Sequence, residues 1–135
     1  VVETTDPGRT SYLRTTSRTY VVLGNALLAS GNPAAALGAY REGVAASERN
    51  LVRAPASMYH MLDRSEAIEA IGRFEVSQAQ KAAPTRRLEL LADARRRFEE
   101  SLSNWRDWIK RDIAASYARI REHQMTEALA SLAKK

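Results

Sequence analysis

The sequence predicts an all-α fold of antiparallel helix hairpins closed by a C-terminal helix, and three observations predict it. Apolar residues recur at steps of three and four along most of the chain, which marks one face of a helix. No segment alternates with period two for long enough to make a strand. Only four prolines and six glycines punctuate 135 residues rich in Ala, Leu, Arg and Glu, all good helix formers.

The elements follow in order. Asp6-Pro7-Gly8 is a turn signal. Leu13, Thr16, Tyr20, Leu23 and Leu27 then form the stripe of a first helix over about 11–30, with Gly31 as its C-terminal stop. Asn32 caps a second helix that opens on Pro33, carries Ala36, Leu37, Tyr40, Val44 and Leu51, and ends near Arg53 before Pro55. Ser57 caps a third helix whose face holds Met58, Met61, Leu62, Ile68, Ile71 and Phe74. Pro84-Thr85 marks the next break. The fourth helix shows the clearest period, Leu91, Ala94, Phe98, Leu102, Trp105 and Ile109. A last stripe, Ile113, Tyr117, Ile120, Gln124, Ala128 and Leu132, fits one closing helix over about 112–133; a break at His123-Gln124 is the alternative. The hairpins thus span about 11–53 and 57–110 in one helical domain.

Charge and composition narrow the function. The net charge of +5 lies in residues 81–135, which hold 13 basic and 8 acidic side chains, whereas residues 1–80 hold 8 of each. Signs alternate along the helices, as in Arg95-Arg96-Arg97 before Glu99-Glu100, which reads as a solvated face. Without cysteine there are no disulfides, thiolate metal sites or cysteine nucleophiles. His60 and His123 are far apart and lack a second ligand at metal spacing, so both read as surface or helix-end residues. No phosphate-binding glycine loop or nucleophile elbow occurs. No catalytic residue, cofactor, metal or small-molecule substrate is expected. Arg86-Arg87 and Arg95-Arg96-Arg97 are the best nucleic-acid candidates, but they lack interleaved aromatics for stacking, which argues against that partner. Trp105 lies on the stripe as core; Trp108 lies off its centre and is expected to pack under the last helix. No apolar run reaches the roughly 18 residues needed to cross a membrane. A start at Val1-Val2-Glu3-Thr4-Thr5 is neither an initiator methionine nor a signal peptide, and the chain reads as a piece of something longer. The cytoplasm is the expected compartment, with a periplasmic or extracytoplasmic one the alternative.

The two hairpins share residues as well as outline. Leu23-Gly24 in the first helix answers Ile71-Gly72 in the third. Ala36, Tyr40, Glu42 and Val44 in the second answer Ala94, Phe98, Glu100 and Leu102 in the fourth. A mid-helix glycine costs about 1 kcal/mol against alanine, and close approach of a neighbouring helix is a sufficient reason for it. The spacing from glycine to alanine is ten residues longer in the second hairpin, an insertion expected in its connection near 78–85.

With Tyr20, Leu23-Gly24, Leu27, Gly31, Ala36, Tyr40 and Pro55 in one hairpin and Ile68, Ile71-Gly72, Ala94 and Phe98 in the next, the chain resembles the tetratricopeptide repeat (TPR) family, whose unit is about 34 residues. Asp6-Pro7 looks like the close of a preceding repeat, and the resemblance covers about residues 6–110. A further likeness, through Asp6-Pro7, Tyr12-Leu13-Arg14, Tyr20 and Ala94-Arg95 to Trp105-Arg106-Asp107, is to C-terminal regions of bacterial serine/threonine protein kinases, whose kinase domain is not in this sequence.

The resemblance implies a right-handed α-α superhelix, a TPR-like solenoid, acting as a protein-binding scaffold with a concave groove. By position in the motif, the groove would be lined by Arg18, Val21, Asn25 and Leu28, then by Glu66, Glu69, Arg73 and Ser77. Asn25 matches the family's carboxylate-binding subclass, but Val21 and Glu69 stand where that subclass needs basic residues, so a carboxylate clamp is disfavoured. Arg14, Arg18 and Arg73 still suit an acidic peptide. The alternatives are a structural module that forms homodimers through open apolar end faces, and a basic nucleic-acid-binding domain.

Overall fold

The computed structural model describes residues 7–135 and holds five helices: α1 (Pro7–Ala29), α2 (Pro33–Arg53), α3 (Met58–Ala79), α4 (Pro84–Lys110) and α5 (Ala115–Ala133). No strand occurs among the described residues. The chain divides within α3 into two compact units, residues 1–71 and 72–135.

Pro7 and Gly8 are helical, so α1 begins four residues before the expected start. Proline is well suited to the first helical position, where its missing N–H loses no bond. Asp6, and with it the expected turn and repeat closure, lies outside the described residues, as do residues 1–5.

In the first unit α1 and α2 run antiparallel. The register descends from Leu13, whose carbonyl accepts from Asn50 Nδ2 at 3.3 Å, to Asn25, whose Oδ1 accepts from the Tyr40 hydroxyl at 2.7 Å. The turn between them is made by local chemistry. Asn32 N–H and Gly31 N–H donate to the Leu27 and Leu28 carbonyls, a Schellman closure with Gly31 at φ +84°. Asn32 Oδ1 then accepts from Ala35 N–H at 3.3 Å and starts α2.

The seam of this hairpin is narrower than the apolar stripes imply. Its buried centre is Ser17 and Gly24 on α1 and Ala36, Ala39, Tyr40, Gly43, Ala46, Ser47 and Asn50 on α2. Leu13, Tyr20, Leu27, Leu37, Val44 and Leu51 flank it half-buried, while Thr16 and Leu23 are exposed, contrary to the stripe drawn for α1. Small residues let the backbones approach, and the larger ones are displaced to the edges.

The second unit contains the end of α3, α4 and α5. Gly72 meets Phe98, Glu75 pairs with Arg97, and the Ala79 carbonyl accepts from Arg87 Nε, so α3 and α4 are antiparallel. The connection is only residues 80–83, which corrects the expected insertion there. The extra length is helical. Ala94 lies ten positions after Pro84, whereas Ala36 lies three after Pro33.

α5 is one continuous helix through His123 and Gln124, and it starts at Ala115 rather than near 112. Asp112 and Ala114 adopt left-handed backbone, φ +55° and +44°, which holds off the helix for three residues. The buried face of α5 is Ala118, Met125 and Leu132, not the expected stripe. Ile120 is 57% exposed. Trp105 and Trp108 are both buried and meet edge-on at 5.1 Å; Trp105 meets Tyr117 of α5 in the same way at 5.8 Å.

Candidate functional site

The expected groove residues fall into different environments. In the first unit, Arg14 is fixed rather than offered to solvent. Its Nε and Nη2 donate to the Asp63 carboxylate at 3.1 Å each, and its guanidinium lies 4.7 Å over the Tyr59 ring. The bond to Asp63 raises the Arg14 pKa, with Glu66 adding in the same sense. Arg18 is exposed on the flank of α1. Val21 and Leu28 are half-buried, Val21 beside the bare backbone of Gly43. Asn25 spends its carbonyl oxygen on Tyr40.

On α3, Glu69 is fully buried, so its carboxylate does not face solvent. Glu66 and Ser77 are half-buried, and Arg73 is exposed. Six consecutive residues, 67–72, are buried, so the middle of α3 is enclosed on all sides.

His60 corrects the reading of a surface histidine. It is the third residue of α3, as a helix-end residue, but it is buried and its Nδ1 has no hydrogen-bond partner. Burial lowers its pKa, the nearby Arg14 adds to the lowering, and Asp63 opposes it. Ser57 Oγ accepts from the His60 N–H at 3.3 Å, the expected cap.

In the second unit, Glu75 is the buried carboxylate. Burial raises its pKa, against the hydrogen bond from Arg97. The basic clusters are largely committed to the protein. Arg86 pairs with Glu89 at 3.0 Å, Arg87 binds the end of α3, Arg96 pairs with Asp93 and Arg97 with Glu75. That weakens the case for a nucleic-acid surface.

Sequence reasoning missed a cavity of about 320 Å³ lined by Val76, Ala79, Gln80, Arg87, Leu91 and Lys135. A second one of about 180 Å³ adjoins it through Val76 and Lys135 and adds Arg73, Phe98 and Leu132. Arg73, Val76 and Gln80 recur at helical spacing on α3, the one signal that put them on a common face.

Among the described residues no three His, Asp or Glu side chains cluster as a metal site, and no helix is long and apolar enough to cross a membrane. Comparison with protein-family models, with curated proteins and with solved structures finds no match.

Proposed function

We propose that the chain is a non-catalytic, tetratricopeptide-type repeat module that binds another protein. The observation that carries this reading is a packing lock that occurs twice. A Cβ on Gly24 would lie 2.4 Å from Tyr40 Cε1, and one on Gly72 would lie 2.6 Å from Phe98 Cε1. In each hairpin a bare stretch of the first helix receives the aromatic of the second, four residues after a fully buried alanine, Ala36 or Ala94. Duplicated hairpins of this kind are the unit from which right-handed α-α superhelices are built, and such arrays work by presenting a surface rather than a reaction centre. Regulation of a bacterial signalling kinase is the setting that the sequence resemblance suggests.

The test is pull-down with the purified chain and its Arg18→Glu and Arg73→Glu variants, each checked for native helicity by circular dichroism. A folded variant that loses a specific partner supports the module. An unchanged partner set in both variants contradicts it.

A second reading, pairing of two copies, is favoured by the outer face of α1. Tyr12, Thr15, Thr16, Thr19, Val22 and Leu23 are all exposed and none is charged. Thr15, Thr16 and Thr19 turn their hydroxyls onto the carbonyls of Ser11, Tyr12 and Thr15 at 2.8, 3.1 and 2.6 Å, which leaves their methyls outward. A charge-free face is complemented best by another, and a second copy supplies one. Sedimentation of the chain beside Leu23→Glu decides it: a dimer that the variant dissociates supports pairing, and a monomer at high micromolar concentration rules it out.

A further inference from the structure

We propose that the joined cavities among α3, α4 and α5 bind an acidic peptide segment. One aliphatic side chain of the segment would sit on the floor, with carboxylates held at the rim. This rests on the reading of the chain as a protein-binding module and names the partner chemistry of its second unit.

The floor is apolar, made by Val76, Leu91, Phe98 and Leu132. Every charged side chain that lines the two cavities is basic: Arg73, Arg87 and Lys135. The nearest buried carboxylate, Glu75, is engaged by Arg97 and does not line either cavity. Arg87 is positioned for the task. Its Nε donates to the Ala79 carbonyl at 3.1 Å, which fixes the guanidinium over the end of α3 and leaves its terminal nitrogens for a carboxylate.

The spacing favours a peptide over a single-headed amphiphile. Arg73 and Gln80, which mark the two ends of the lining on α3, are seven residues apart, about 10 Å along a helix. A fatty acid carries one carboxylate and satisfies one end. An extended segment with acidic residues on both sides of a leucine reaches both, since successive residues advance about 3.3 Å.

The probe is a labelled, acetylated Glu-Glu-Leu-Leu-Glu-Glu peptide, titrated with the 135-residue chain by fluorescence anisotropy. The expected result is saturable binding that weakens steeply between roughly 0.05 and 0.5 M salt. It should fall about five- to tenfold with Lys135→Glu and with Arg87→Glu. Lys135→Glu guards against a folding effect, because the Lys135 side chain has no structural role in α5. Serine in place of both leucines should also weaken the probe.

No saturation by about 1 mM overturns the proposal, as does equal affinity in both charge-reversal variants. Decanoate that binds as tightly as the peptide overturns it in favour of a lipid-like ligand. If the peptide fails while Arg18-dependent capture of a protein partner persists, only the cavity assignment falls. If both fail, the module reading falls with it.

Discussion

The two hairpins share one lock and differ in almost everything around it. In the first, Tyr40 fills the space over Gly24 and its hydroxyl is tied to Asn25, so the ring is held at both ends. In the second, Phe98 fills the space over Gly72 without a hydroxyl tether. The first hairpin turns through a Schellman glycine and an asparagine cap. The second turns through residues 80–83, with Arg87 covering the last carbonyl of α3 and no side-chain cap on α4. The lesson is that a glycine–aromatic contact can specify a helix pair while helix length and turn chemistry vary.

The largest effect follows from that difference. Gly24→Ala drives a methyl group into an anchored ring. Overpacking costs about 1–3 kcal/mol, and the gain in helix propensity offsets about 1. We expect a net loss of about 2 kcal/mol in urea unfolding, with a smaller loss for Gly72→Ala because Phe98 is free to tilt.

The units also bury their carboxylates differently. Asp63 is 1% exposed and held by two bonds from Arg14. Asp63→Asn should cost about 1–2 kcal/mol, limited because Arg14 is 23% exposed and regains water. Its surface counterpart in the second unit, Asp93→Asn opposite Arg96, should change stability by less than about 0.5 kcal/mol.

Acidification should separate the units by sign. The folded-state pKa of His60 is lowered, so the unfolded chain binds its proton more readily. Stability is therefore lost as pH falls through the ordinary histidine range. For Glu75 the folded-state pKa is raised, so the native state holds the proton more tightly. Stability is then gained as pH falls from neutral toward the ordinary carboxylate range. Unfolding curves at several pH values should show His60→Leu removing the first slope and Glu75→Gln the second. Slopes that survive these substitutions would contradict the assignment.

The smallest effect lies at the link before α5. Ala114 occupies left-handed backbone that alanine disfavours. Ala114→Gly should stabilise the chain by about 0.5–1 kcal/mol, read as a raised unfolding midpoint.

Much of the architecture was legible because its signals are local. Gly31, Asn32 and Pro33 place a turn within three residues, and the bounds of α2 match the reading. The glycines at 24 and 72 were legible through their cost, since only a close neighbour justifies them. What was not legible depends on partners distant in sequence. His60 is buried beside Asp63 because Arg14, 49 residues from Asp63, crosses to that carboxylate. On α5 the conspicuous Ile120 faces solvent, while Ala118 and Met125 make the contact. The same bias toward large residues misdrew α1, where Ser17 and Gly24 form the seam. Of the expected groove set, Arg18 and Arg73 are exposed cations, whereas Arg14, Asn25 and Glu69 are engaged or enclosed by the fold. The cavity was invisible because three helices build it and no spacing rule joins them.

The most direct test is a double-substitution cycle at each lock. Gly24→Ala and Gly72→Ala are measured with the aromatic intact, then with Tyr40→Ala or Phe98→Ala. With the ring present, alanine should destabilise both hairpins. With the ring removed, the same change should stabilise both by about 0.5–1 kcal/mol, as in an open helix. A glycine-to-alanine change that stabilises either hairpin while its ring is in place would contradict the shared lock.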